Sequence, residues 1–201
     1  MTFRVIGYLA REHGLAGLDA LLGSGRYRPI AVFTHRRKAK FEDPERGERP
    51  DHARYVAVCA GAGVPLFEVD TAEQARQIPR VLAELECDFL ASISWRRLIT
   101  PEELACPRLG GVNLHRGSLP EYPGGLPLHQ ALKNGDERVA ITAHVLSPEI
   151  DGGEVLDKAY HPVNYQTSVS IDENVERLKR ELTPRFGPLL LSALDKLAQR
   201  M

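Results

Sequence analysis

The chain has 201 residues, of which 43% are hydrophobic and 26% charged, and its formal net charge is -1 at pH 7. Such a composition is that of an ordinary globular protein, and it excludes a disordered chain or a nucleic-acid binder acting through a strong overall field. The length corresponds to one domain over residues 1–201.

Cys59, Cys87 and Cys106 are odd in number and widely spaced. They indicate neither a disulfide framework nor a Cys-x-x-Cys metal or redox site, and a reducing cytoplasm is the expected location. No apolar run approaches the roughly 18 residues that span a bilayer, and the N-terminus has no leader pattern, so no membrane partner is expected. His35-Arg36-Arg37-Lys38-Ala39-Lys40 is a local basic patch, but Glu42, Asp43, Glu45 and Glu48 follow it, which reads as a solvated loop.

Along the chain, Phe3–Leu9 is β-branched and aromatic, and Leu15, Leu18, Leu21 and Leu22 follow at helical spacing. A second strand is predicted at Ile30–Phe33, then a charged loop over 35–50, a helix over Asp51–Ala62 and a third strand at Pro65–Val69. Ala75, Ile78, Leu82 and Leu85 predict a helix over Ala72–Leu85, with Pro79 as a kink point. Asp88–Ser94 reads as a buried strand. Thr100-Pro101-Glu102-Glu103 combines an N-cap residue, a first-turn proline and first-turn acids, the start of a short helix. Gly111–His115 is the next strand. Val139–Leu146 and Glu154–Tyr160 read as two longer strands joined through Asp151-Gly152-Gly153, forming an antiparallel edge. From Ile171 to Leu197 the period is helical, with Thr183-Pro184 predicting two helices or one sharp kink. The alternation predicts an α/β fold: a Rossmann-like, mostly parallel sheet flanked by helices, with ligands gathered at the C-terminal strand ends.

The stretch Gly111–Gly125 is the chemically informative one. Asn113 and His115 lie two apart, so on a strand they project from one face at its C-terminal end. An amide donor beside an imidazole suits a reaction that passes through a tetrahedral oxyanion. Pro120, Pro123, Gly124, Gly125 and Pro127 make the following loop stiff and turn-rich. Taken alone, the pair favours the plainer reading of a turn cap and a satisfied polar residue at a strand end, since single short motifs have a high false-positive risk. No G-x-S-x-G elbow, phosphate-binding Walker loop or G-x-G-x-x-G fingerprint is present, and His129, His144 and His161 have no zinc spacing, so solvated or packing roles are expected for those three.

From about Asp88 to Lys158 the chain resembles the folate-dependent formyltransferases, a family that includes glycinamide ribonucleotide transformylases, the catalytic domain of methionyl-tRNA formyltransferases and sugar N-formyltransferases. The resemblance is carried by Asn113, His115, Pro120, Gly124 and Asp151 in order, with Gln130-Ala131-Leu132-x-Asn134-Gly135-Asp136 and Ile150-Asp151-Gly152-Gly153. It implies Asn113, His115 and Asp151 as catalytic residues. It also implies N10-formyltetrahydrofolate as donor, no metal, and a small-molecule primary amine as acceptor. The pterin pocket would lie between Trp95–Ile99 and Ser147–Asp151, giving Arg97, Leu98, Ile99, Glu149 and Ile150 as donor-binding residues, with Arg97 near the donor's glutamate tail or else a surface arginine.

Arg116 stands where the family pattern has proline, and Ser118 is displaced by one position, which leaves that serine without an implied role. Tyr8–Gly14 lacks the Gly-Ser-Asn phosphate loop of the glycinamide ribonucleotide enzymes. An additional RNA-binding domain, as in methionyl-tRNA formyltransferases, has no place in 201 residues, so no nucleic-acid partner is expected. The expected acceptor is an amino-sugar nucleotide. Alternatives are glycinamide ribonucleotide, water in a formyltetrahydrofolate hydrolase, and a non-catalytic folate-binding module. The resemblance also raises a homodimer, though no spacing marks an interface.

Overall fold

A computed structural model describes residues 2–200. Five strands, β1 (Phe3–Leu9), β2 (Tyr27–Thr34), β3 (Leu66–Glu68), β4 (Phe89–Ile93) and β5 (Gly111–His115), run parallel. Two more, β6 (Arg138–Val145) and β7 (Val155–Pro162), continue the sheet by antiparallel pairing. The order is β3-β2-β1-β4-β5-β6-β7, the predicted mostly parallel sheet with an antiparallel edge. The helices are α1 (Arg11–Leu22), α2 (His52–Ala62), α3 (Ala72–Arg76), α4 (Ile78–Leu85), α5 (Pro101–Leu104), α6 (Pro127–Lys133) and α7 (Ile171–Ala198).

Strand parity divides the core into two layers. Val5, Phe89, Ala91, Ile93, Val112, Leu114 and Ile141 face the apolar sides of α1, α6 and α7. Ile6, Tyr8, Phe33 and Leu90 face the opposite way, against Ile78 and Leu82 of α4. From β1 the chain builds outward through β2 and β3, then returns to place β4 on β1's other side. A crevice opens at such a reversal, outside the carboxyl ends of β1 and β4, and Leu9 pairs with Ile93 there.

Three details depart from the sequence reading. Strand β2 begins three residues earlier than predicted, because Pro29 is accommodated at a bulge: Val5 pairs with Pro29 and Ile6 with Ala31, leaving Ile30 as the extra residue. The predicted helix over Ala72–Leu85 is two helices that break at Gln77, with Pro79 in the first turn of α4, where its missing N–H costs nothing. The C-terminal segment, in contrast, is one helix of 28 residues that runs through Pro184 and Pro188. Both prolines lie on the exposed side, where water can take the carbonyls they leave unbonded, while Val175, Leu178, Leu182, Phe186, Leu190 and Leu194 hold the other side in the core. Among the described residues no helix is long and apolar enough to cross a membrane.

Candidate active site

The sheet alone brings the first polar residues together. On β5, Val112 and Leu114 enter the core, so Asn113 and His115 must emerge on the other face. The antiparallel neighbour β6 sets His144 opposite Asn113 and Thr142 opposite His115. Asp151 arrives from the β6–β7 loop in a left-handed conformation (φ 52°), one that aspartate tolerates. Two glycines make this approach feasible. A Cβ on Gly153 would lie 1.8 Å from the Val145 carbonyl oxygen, and one on Gly117 would lie 2.7 Å from His115 Nε2. The Thr142 hydroxyl donates to the Gly117 carbonyl at 2.7 Å and accepts from the Leu119 N–H at 3.2 Å, which fixes the loop after β5.

Asp151 is the hub of the cluster. Its Oδ2 lies 3.2 Å from His115 Nδ1 and accepts from the Gly124 N–H at 2.8 Å. Its Oδ1 lies 3.4 Å from His144 Nε2 and 3.5 Å from the Asn113 amide nitrogen. The Asn113 amide nitrogen is also 2.9 Å from His144 Nε2, and His144 Nδ1 is 3.0 Å from the Val145 carbonyl. His144 Nε2 thus stands within reach of both the Asn113 amide and Asp151 Oδ1, and the ring ties the amide to the carboxylate. His115 Nε2 lies 2.7 Å from the Tyr122 carbonyl, so both its ring nitrogens face acceptors.

Electrostatics set opposite tendencies for the two titrating partners. Burial pulls the His115 imidazole below its ordinary pKa, more than the Asp151 carboxylate and Tyr122 carbonyl raise it. Burial works to raise the Asp151 pKa, but contacts from His144, the Gly124 N–H and His115 outweigh it, and the carboxyl sits below the usual aspartate value. The site thus pairs an anionic carboxylate with an imidazole whose proton is weakly held.

Two cavities meet at this cluster and share Asn113 and Asp151. The smaller, about 110 Å³, is lined by Arg97, Leu98, Ile99, Glu149 and Ile150 together with Trp95, Leu146, His144, Asn113 and Asp151. All five residues expected to bind a donor therefore meet at one cavity. Leu98 and Ile150 are 72% and 66% exposed, an apolar rim suited to covering a flat ring. The larger, about 510 Å³, has Asn113, His115 and Asp151 on one side and Arg11, Arg116 and Lys179 on another. Trp95 borders both cavities. Its ring stacks on His35, with centroids 4.2 Å apart, and also packs against the tilted ring of Tyr8 at 4.8 Å, which makes it a fixed wall. Among the described residues no group of three or more His, Cys, Asp or Glu side chains could hold a metal ion.

His144 corrects the sequence reading. It is 2% exposed and joins Asn113 to Asp151, whereas no special role was expected for it. The signal lay in the pairing register of β5 and β6, which a single sequence does not give. His129 and His161 lie 2.9 Å from Asp172 and Glu181 carboxylate oxygens, away from the cluster.

The family described as formyl transferase matches residues 18–186. Among similar curated proteins, a methionyl-tRNA formyltransferase of Thermosynechococcus vestitus is 27% identical over 190 residues, which cover 94% of this chain and 54% of that protein. One of Halorhodospira halophila is 30% identical over 195 residues, covering 96% of this chain and 60% of that protein. The chain thus spans little more than half the length of these relatives. Among solved structures, glycinamide ribonucleotide transformylase 1 from Symbiobacterium toebii superposes with a TM-score of 0.71 at 19% identity, covering 96% of this chain and 89% of that one. A formyltetrahydrofolate deformylase from Pseudomonas syringae pv. tomato gives a TM-score of 0.75 at 19% identity, covering 100% of this chain and 63% of that one. These likenesses establish a common fold.

Proposed function

The chain belongs to the formyl transferase family, and we propose that it is an enzyme that moves a formyl group from N10-formyltetrahydrofolate to a primary amine. The observation that carries this reading is the convergence of Asn113, His115 and Asp151, with Asn113 and Asp151 lining two adjoining cavities and His115 the larger of them. The smaller cavity fits the donor's ring chemically, through the apolar side chains of Leu98, Ile99, Leu146 and Ile150, with Arg97 available for a carboxylate. When bound, the donor supplies a formyl carbon activated for transfer.

The protein's own residues divide the remaining work. Asn113 offers an N–H to the oxygen that gathers negative charge as the carbon becomes tetrahedral, and His115 does so by exchanging its Tyr122 carbonyl contact for that oxygen. The Asp151 carboxylate orients the His115 ring and takes the proton that the attacking amine sheds, passing it to solvent or to the leaving nitrogen. His144 anchors the Asn113 amide.

For the acceptor we favour an amino-sugar nucleotide, since the β1–α1 turn lacks the Gly-Ser-Asn loop expected for glycinamide ribonucleotide. The names of the curated relatives support a second reading, an aminoacyl-tRNA amine. The test is a formyl-transfer assay with N10-formyltetrahydrofolate against amino-sugar nucleotides, glycinamide ribonucleotide and methionyl-tRNA, with donor hydrolysis followed in parallel. Transfer to one amine class identifies the acceptor. Hydrolysis alone would make water the acceptor, and donor consumption in none of the assays would sink the catalytic reading.

A further inference from the structure

The larger cavity carries an arginine for which the formyl-transfer scheme has no use. Arg116 follows His115 at the end of β5, and its guanidinium reaches toward α1 and α7. One terminal nitrogen lies 2.8 Å from His13 Nε2, while Nε is sealed from solvent without a hydrogen-bond partner. Three other cations around the cavity are matched, Arg11 with Glu42, Lys179 with Glu176 and Arg96 with Asp70, while Arg97 at the border with the smaller cavity is not matched among the described residues. Arg116 forms no such ion pair among the described residues.

His13 holds this guanidinium without neutralising it. The Thr183 hydroxyl donates to the Lys179 carbonyl at 2.9 Å, so its oxygen accepts from His13 Nδ1 at 2.9 Å and leaves Nε2 as a lone pair for Arg116. The His13 ring lies flat on Phe186, with centroids 4.4 Å apart. Burial, reinforced by Arg116, Arg11 and Lys179, holds His13 at a pKa of about 3, so the ring stays neutral. Burial and then Arg11 also bring Arg116 down to about 10, which still leaves it charged at neutral pH. A largely buried charge held by a neutral acceptor, with one donor unmatched, is a costly arrangement unless an anion completes it.

We propose that Arg116 is the floor of an anion subsite in the acceptor cavity, so that the amine accepted here belongs to a molecule bearing a phosphoryl or carboxylate group. The planar guanidinium fork suits either oxyanion, and Arg11 and Lys179 add positive potential on the same wall. The word acceptor rests on the formyl-transfer reading; the anion subsite does not.

Trp95, the only tryptophan, lines the same cavity and can report on it. Its fluorescence is followed as the protein is titrated with inorganic phosphate, acetate or chloride at constant ionic strength. A saturable response to phosphate or to acetate, absent with chloride, is expected, and the tighter of the two identifies the group. Arg116→Gln should weaken that anion by about tenfold or more, the loss of one charge-assisted hydrogen bond, with Arg116→Lys intermediate. If the glutamine variant does not fold, the lysine variant alone must weaken binding by at least about threefold. No saturable response in the unsubstituted protein, or equal affinity in the variants, overturns the subsite. A folate-analogue titration on the same sample separates the two ideas. Anion binding without donor binding removes the formyl-transfer reading alone, and donor binding without anion binding removes this inference alone.

Discussion

Asn113 owes its place to strand parity and its orientation to His144, so the two residues should fail in different ways. Asn113→Ala removes an oxyanion donor and should lower kcat by about 10²- to 10³-fold while a folate analogue still binds. Near-normal turnover in that variant would refute the assigned role. Asp151→Asn keeps the shape of the hub but removes its charge, and it should depress kcat at least as far. His144 acts through Asn113, which makes it a positioning residue. His144→Ala should lower kcat about tenfold with little change in donor affinity, and His144→Gln, which can still hydrogen-bond the amide, should recover part of the loss. If the alanine and glutamine variants turn over equally, the 2.9 Å contact to Asn113 has no bearing on the reaction.

At the scale of elements, the β6–β7 loop is the most constrained segment of the site. A methyl group on Gly153 would meet the Val145 carbonyl at 1.8 Å, so Gly153→Ala must move either strand β6 or Asp151. We expect it to cost about 2 kcal/mol or more in urea unfolding and to reduce turnover, since the loop carries the hub carboxylate. Unaltered stability would mean that the loop is slack. The same loop marks the limit of what the sequence carried. Strands β1, β4 and β5 were legible because their β-branched and aromatic runs are local properties. Pro79 was legible as a break because proline acts on its own turn. Pro184 was not, because whether a helix survives a proline depends on the side it faces, and that is decided by packing against α1 and the sheet. Asp151 entered through a family pattern, 36 residues beyond His115, and no local rule would have chosen it over the other acids. His144 needed the β5–β6 register.

For the molecule as a whole, the buried histidines make stability depend on pH in a window above that of the paired aspartates. Burial brings His13 and His35 to about 3, from near 6.5 in an unfolded chain, with nearby arginines acting in the same direction. Between those values the unfolded chain binds more protons than the folded one. The stability associated with keeping both rings neutral is therefore fully present above about pH 6.5 and is lost progressively as pH falls toward 3. At pH 5 each ring accounts for up to about 2 kcal/mol. Asp151 and Asp157, held below the ordinary aspartate range, add losses of the same sign only in more acidic solution. Urea midpoints at pH 7.5 and pH 5.0 therefore read the buried histidines, against an opposing contribution from Glu103, whose carboxyl burial pushes up, and the histidine substitutions separate the two. The unsubstituted protein should be clearly weaker at pH 5.0, and His13→Gln or His35→Gln should each show a smaller difference between the two conditions, whatever its stability at pH 7.5. Folded His13 stays neutral at pH 5.0, but a ring released by local opening takes up a proton it cannot keep beside Arg116, so acidification should loosen α1 from α7 first. Hydrogen exchange at pH 5.0 that rises in those two helices before the central strands is the expected order. Equal midpoints at both pH values would mean that these rings are hydrated in the folded protein.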